Sequence, residues 1–244
     1  MRAAGPERAV SLADYLFHEE PGVTLYCGNC RDVLPLLEPD SVDAVIADPP
    51  YNVGKSYGEH DDSMPPDKYA AWLGDVLSLC ATISRDSVIY FPGAVNVFGV
   101  AAVLATTPLR PVRMLGWHKK EYAGDLWTGG PAMSWEPIVW ASKAPGRPAF
   151  NRIFGAWGRD YLVVNSTHGD PLRALHPCPK PPEVLRWLVG MFVPDGGAVV
   201  DPTAGTGTTL LQAKELGRRA IGIELSPDYC AIAVKRLRQG VLPL

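Results

Sequence analysis

The stretch Val42-Asp43-Ala44-Val45-Ile46-Ala47-Asp48-Pro49-Pro50-Tyr51 decides how the chain is read. Its first six residues form the apolar run of a buried strand, and two prolines, which cannot continue a ladder, stop it at once. Asp48 and Tyr51 then fall at the carboxyl end of a parallel strand, where open α/β sheets form their ligand crevices. There Asp48, Pro49, Pro50 and Tyr51 make a small rigid cup: a carboxylate and a backbone carbonyl, both acceptors, beside a flat ring. Such a cup suits a planar group carrying an exocyclic NH2. A strand-ending turn with a buried tyrosine would use the same four residues, and the second half of the chain bears on the choice.

Upstream, residues 23–27 read as a short strand, 31–37 as a short helix and 38–41 as the turn that feeds the strand at 42, while residues 1–22, with little periodicity, read as a separate arm. Downstream, the polar segment 52–66, with Lys55 and His60, reads as a mobile loop over the site, His60 being a solvated loop residue. Tyr69, Trp72, Leu73, Val76, Leu77 and Leu79 then recur at spacings of three and four, predicting an amphipathic helix over 67–84. Strands at 87–91 and 112–117, with a helix over 94–105 between them, continue the alternation of a doubly wound sheet. The pattern breaks over 119–134, and an apolar strand returns at 136–140. Further elements are predicted as helices over 183–192, 208–216 and 227–237 and strands at 198–200 and 219–224, with Pro227 at a first helical turn after the N-cap Ser226. No linker separates two domains, so residues 23–244 read as one unit carrying an insertion at about 119–175.

The 244 residues are 47% hydrophobic and 20% charged, which suits a globular domain with a sizeable core. No apolar run reaches the length of a membrane span and the first residues lack the apolar segment of a signal peptide, so the expectation is a cytoplasmic protein. Five cysteines without an export signal argue against a disulfide framework, and Cys27-Gly28-Asn29-Cys30, although spaced CxxC, lacks two further ligands for zinc. The net charge of −3 gives no global basic field, so contact with a nucleic acid must come from a local patch. From Pro137 through Arg159 there is no acidic residue, while Lys143, Arg147, Arg152 and Arg159 stand among Phe150, Phe154 and Trp157. Cations interleaved with aromatics suit phosphates and unstacked bases, although a surface loop whose aromatics cover the core has the same composition. Lys55, on the loop over the site, joins these as a candidate DNA contact.

The run Asp201-Pro202-Thr203-Ala204-Gly205-Thr206-Gly207-Thr208-Thr209 lies between a predicted strand and a predicted helix, where glycines let the backbone approach a ligand and a helix N-terminus offers free N–H groups. It has neither the lysine of a nucleoside-triphosphate loop nor the GxGxxG spacing of a dinucleotide site. Glu224, at the end of the next strand, is placed to accept hydrogen bonds from both hydroxyls of a ribose. The ligand so described is a nucleoside without a pyrophosphate, S-adenosylmethionine being the candidate, with Asp201 near its amino group.

Together DPPY, the DPTAGTGTT run, Gly222-Ile223-Glu224-Leu225 and His176-Pro177-Cys178-Pro179-Lys180-Pro181 resemble the amino-methyltransferases of DNA, in the β-ordered group whose catalytic motif precedes the cofactor motif. The resemblance extends over about residues 25–237. It implies a Rossmann-like, mostly parallel seven-stranded sheet with helices on both faces and the last-added strand antiparallel. It also implies that His176 to Pro181 closes over the methionine end of the cofactor, with Lys180 as a partner for its carboxylate, that Asn29, Thr203, Gly205, Gly207 and Thr208 border it, with Asp48 shared between cofactor and base, and that the insertion at about 119–175 recognises DNA. Asn29 stands where an acidic residue often follows the glycine, and Thr203 where an aromatic is common. Double-stranded DNA is the implied substrate; a homodimer and a cognate restriction enzyme stay open as partners. Aspartate at the first position of the cup is commoner in members acting on adenine N6, serine in those acting on cytosine N4.

Overall fold

The computed structural model describes residues 10–55, 62–120, 134–143, 150–151, 158–165 and 178–239. Nine strands form a single sheet: β1 (Leu16–Glu20), β2 (Val23–Cys27), β3 (Val42–Ala47), β4 (Ser84–Tyr90), β5 (Arg110–Lys119), β6 (Trp135–Ser142), β7 (Tyr161–Val164), β8 (Ala198–Asp201) and β9 (Arg219–Glu224). Their order is β1-β2-β9-β8-β3-β4-β6-β5-β7. All share one direction except β1 and β6, which run antiparallel to their neighbours.

The expected seven strands are present as β2, β9, β8, β3, β4, β6 and β5, and the count is corrected to nine by one strand at each edge. The arm is not separate from the body at residue 22, because Leu16–Glu20 pairs with β2. Its sequence, Leu-Phe-His-Glu-Glu, has no alternation to announce it, since as an edge it buries little. At the other edge β7 pairs with β5, so the described parts of the predicted insertion contribute strands β6 and β7 to the sheet. The helical segment expected over 31–37 is a short α-helix, α1 (Cys30–Val33), followed by a 3-10 turn at Leu34–Leu36. That over 94–105 is a 3-10 turn at Ala94–Gly99 leading into α3 (Val100–Leu104).

Both faces are covered, which explains the continuous apolar run of β3. Ala44 and Ile46 pack on the side of α4 (Pro182–Phe192), α5 (Thr208–Glu215) and α6 (Pro227–Gln239). Val45 and Ala47 pack on the side of α1, α2 (Pro66–Ile83) and α3. Asp43, the polar member of β3, ties strand starts together: Oδ2 accepts from the Ala198 amide at 2.8 Å and Oδ1 pairs with Arg85 at 2.8 Å. Among the described residues no helix is long and apolar enough to cross a membrane.

The sheet order fixes where a ligand can sit. From β3 the chain steps to β4 on one side, and from β8 it steps to β9 on the other, so the order reverses between β3 and β8. The carboxyl ends of these two strands open a crevice at that switch point.

Gly207, read from sequence as a cofactor contact, does a different job. It has φ +77°, and a Cβ there would lie 2.8 Å from the Cβ of Ala233 in α6. It faces a helix and not the crevice. Gly207→Ala is expected to lower stability by roughly 1 to 3 kcal/mol, through left-handed strain and the displaced α6. A urea unfolding midpoint equal to that of the parent would show that α6 shifts without penalty.

Candidate active site

Three acidic residues end the three adjacent strands β3, β8 and β9: Asp48, Asp201 and Glu224. They line one open cleft of about 1090 Å³, counted out to its mouth, which Gly28, Asn29, Pro49, Pro50, Tyr51, Lys180, Thr203, Gly205 and Thr208 also line. The structure thus brings together the cup and the nucleoside site, which are separated by about 150 residues of sequence.

The cup is held from several sides. Tyr51 donates its hydroxyl to Asp48 Oδ1 at 2.7 Å. Tyr69 of α2 donates to the Pro50 carbonyl at 2.8 Å, and Asn96 donates to the Tyr51 carbonyl at 2.8 Å. The Tyr51 ring lies flush on Gly93, φ +70°, where a Cβ would come within 2.8 Å of the ring. Among the described residues no donor reaches the Pro49 carbonyl, which leaves it as the second acceptor beside Asp48. Burial, more than the nearby Asp48 and Glu136 charges, holds the Tyr51 phenol well above its usual range, so its hydroxyl stays a donor.

Lys180 lines the cleft and also has a partner inside the protein. Its ammonium pairs with Asp48 Oδ2 at 2.5 Å and is only 7% exposed. Lys180 thereby neutralises Asp48, an arrangement that offsets the cost of burying either charge alone. Each Asp48 oxygen keeps a further lone pair for an incoming N–H.

Residues 52–55, which follow the cup, are tied down by one carboxylate. Asp62, 3% exposed, accepts from the amides of Asn52 at 2.7 Å, Lys55 at 2.9 Å and Val53 at 3.1 Å. Lys55 does not line the cleft; its ammonium donates to the sulfur of Cys178 beside it. His60 lies outside the described residues.

On the nucleoside side, Asp201 is buried and accepts from the Thr203 amide at 3.0 Å and the Thr209 hydroxyl at 2.5 Å. Burial, aided by Asp48 and Glu224, outweighs those two bonds and lifts its carboxyl to about 7. Glu224 accepts from the Gly205 amide at 2.8 Å and the Ser226 amide at 2.8 Å, one bond to each oxygen, and burial raises its carboxyl too. Asn29 uses its side-chain oxygen to cap α1 through the Arg31 amide at 2.9 Å, so what it offers the cleft is its NH2. Thr203 Oγ1 is buried with no protein partner, an orphan that a ligand in this cleft would satisfy. Acidic strand ends, a close-approach glycine at 205 and an unpaired hydroxyl fit an amino-acid-bearing nucleoside.

Other walls of the cleft carry no signal in the sequence: Gly28, Cys30, Trp72, Leu185 and Tyr229. Trp72 belongs to the apolar series of α2, and periodicity does not show that it also borders the cleft. Cys30 of the CxxC pair is buried, and burial pushes its thiol up to about 11, which keeps it uncharged and unreactive.

The candidate DNA contacts are scattered. Lys143 follows β6 at the opposite end of the strands from the cup, next to Asp86, and is ion-paired with Asp40. That placement contradicts its reading as a contact for DNA entering the cleft: β6 runs antiparallel, so its last residue emerges where β3 begins. Arg159 is held over Tyr161 at the outer edge of the sheet, 5.6 Å from the ring centroid. Arg147, Arg152 and His176 lie outside the described residues.

An open α/β sheet whose switch-point crevice joins a nucleoside site to a two-acceptor cup defines a nucleoside-dependent group-transfer enzyme. A family model described as DNA methylase, of the N6/N4 methyltransferase type, matches residues 42–163 and 147–235, and the chain belongs to that family. It is therefore a DNA methyltransferase that uses S-adenosylmethionine. Among curated relatives, the Type II methyltransferase M.HpaI of Haemophilus parainfluenzae is 28% identical over 233 residues, 87% of this chain and 73% of its own. Among solved structures, the M1.HpyAVI–SAM complex superposes with a TM-score of 0.69 at 22% identity, covering 88% of this chain and 98% of that one. The PvuII DNA methyltransferase, described as cytosine-N4-specific, superposes with a TM-score of 0.73 at 17% identity, covering 87% and 85%.

Proposed function

We propose that the protein methylates the exocyclic N6 of adenine at specific sites in double-stranded DNA, by direct in-line displacement on a flipped-out base. The observation that carries this reading is the pairing of two acceptors, the Asp48 carboxylate and the Pro49 carbonyl, in the cleft that Asp201 and Glu224 also line. An exocyclic amine is a poor nucleophile because its lone pair is delocalised into the ring. If Asp48 and Pro49 each accept one of its N–H groups, the nitrogen is drawn toward tetrahedral geometry and its lone pair is freed to one side. Tyr51 holds the plane of the base, and Pro50, fixed by Tyr69, keeps the cup rigid. When bound, S-adenosylmethionine supplies a methyl group on a sulfonium sulfur, a carbon open to in-line attack.

Glu224 would take the ribose hydroxyls with the lone pairs left over from Gly205 and Ser226, and Asp201 the amino group. Asn29, Thr203, Gly205 and Thr208 border the same ligand, with Lys180 and His176 at its methionine end. A target inside a duplex is out of reach, so the nucleotide must swing out, which costs a few kcal/mol that contacts elsewhere offset. Lys55, Arg147, Arg152 and Arg159 are the candidates for those contacts. Arg147 and Arg152, which the sequence places with Phe150, Phe154 and Trp157, carry the main expectation.

The carboxylate at the first position of the cup favours adenine. Cytosine N4 is the second reading, supported by the likeness to the PvuII enzyme; the carboxylate does not itself measure the size of a base. Digestion of DNA treated with the purified protein and S-adenosylmethionine, followed by nucleoside chromatography, separates the two. N6-methyladenine is expected, and N4-methylcytosine alone would overturn the choice of base while leaving the chemistry in place.

A further inference from the structure

One buried charge beside the cup has no part in the reading so far. Glu136 stands near the start of β6, three residues before Val139, the partner of Tyr90, which sets it beside the turn Phe91-Pro92-Gly93 on which Tyr51 packs. It alternates with Ile138 and Trp140, so its side chain shares their face of the sheet. Its Oε1 accepts from the Lys119 ammonium at 2.8 Å, both side chains being largely buried. Its Oε2 is buried with no hydrogen-bond partner. A carboxylate oxygen left unpaired in the interior is costly and calls for a compensating charge. That charge is at hand: the Lys180 ammonium lies over the rings of Phe91 at 5.0 Å and Tyr51 at 5.2 Å, and bonds Asp48. From β5 to the end of β3 the charges alternate, Lys119, Glu136, Lys180, Asp48, and end on the Tyr51 hydroxyl.

We propose that Glu136 is a positioning residue for methyl transfer: its unpaired oxygen holds the Lys180 ammonium charged and in place, and so fixes the Asp48 carboxylate that receives the target amine. The inference rests on the methyl-transfer reading of the cup. Electrostatics support it. Burial works against the Lys180 charge, but Asp48 and Glu136 outweigh it and raise the lysine above its usual value. Burial likewise works against the Glu136 charge, and Lys180, Lys119 and Lys55 outweigh it and lower the carboxyl. The groups that face Lys180 are Asp48 from β3, Glu136 from β6, the Tyr51 hydroxyl and, on its own segment, Cys178. With Glu136 uncharged, less opposes burial. Lys180 then loses its proton at a lower pH, and the alkaline limb of activity moves down.

Glu136→Gln tests this, because the amide keeps the shape and an acceptor for Lys119 while removing the charge. Two readouts are taken on the parent and the variant: kcat against pH with DNA, and the titration midpoint of the Lys180 ε-carbon by 13C NMR, its signal assigned with Lys180→Arg. The expected result is a kcat lower by roughly tenfold or more, an alkaline limb moved down by about one pH unit, and a Lys180 midpoint lowered in parallel. An unchanged midpoint overturns the link between Glu136 and Lys180, whatever the rate does. A lowered midpoint with unchanged kcat and pH profile overturns the positioning role. A parent that transfers no methyl group to DNA overturns the methyltransferase reading itself, and the midpoint still decides whether Glu136 holds Lys180.

Discussion

Asp48→Ala is expected to abolish methyl transfer, with kcat falling by roughly 10³ or more, while S-adenosylmethionine binds within about threefold of the parent affinity. The carboxylate acts on the target amine, not on the sulfonium ligand, so the loss should sit in turnover and spare cofactor binding. The structure adds a complication, since alanine would strand the Lys180 ammonium, 7% exposed, without its partner. Breaking such a pair costs about 3 to 5 kcal/mol of stability. Asp48→Asn guards against a trivial loss of folding: it retains an oxygen to accept from Tyr51 or Lys180 but removes the charge. A rate still down by roughly a hundredfold in a stably folded Asn variant assigns the loss to the lost acceptor. An Asn variant at the parent rate would remove Asp48 from the chemistry.

Glu224→Ala should weaken S-adenosylmethionine binding by at least tenfold, because a charged hydrogen bond of this kind contributes roughly 1.5 to 3 kcal/mol. Both oxygens already accept a backbone amide, from Gly205 and from Ser226, so the carboxylate shapes the loop as well as offering acceptors to a ribose. The two contributions separate in Glu224→Gln, whose oxygen can serve only one of those amides and whose NH2 repels the other. Calorimetric titration reads both variants directly. Unchanged affinity in Glu224→Ala would take the residue out of the site.

Sequence carried the parts of this account whose causes are local. An apolar run ended by two prolines is a buried strand and an abrupt stop in any context, and β3 and the cup follow from it. The glycine-rich turn between β8 and α5 and the acid at the end of β9 were legible for the same reason. What escaped was set by tertiary partners. β1 is an edge strand whose sequence shows no alternation, and β7, although Tyr-Leu-Val-Val is apolar, is only four residues long and is recognised by its pairing with β5. The pairing of Lys180 with Asp48 spans 132 residues and no spacing rule reaches it. Asp62 looked like one more polar loop residue, yet its carboxylate gathers the amides that follow the cup. Composition groups Lys143 with the arginines after it, but strand direction carries it to the end of the strands opposite the cup.

The central claim is that the cup and the nucleoside site share one cleft so that a methyl group passes from one to the other. A single turnover tests it most directly: protein preloaded with methyl-labelled S-adenosylmethionine is mixed with unlabelled double-stranded DNA in excess and quenched over time. The account predicts label appearing in DNA as it leaves the cofactor, with the Asp48→Asn protein retaining its bound cofactor and labelling the DNA roughly a hundredfold more slowly. Label that stays on the cofactor in the parent protein, across DNA rich in varied sequence, would contradict it.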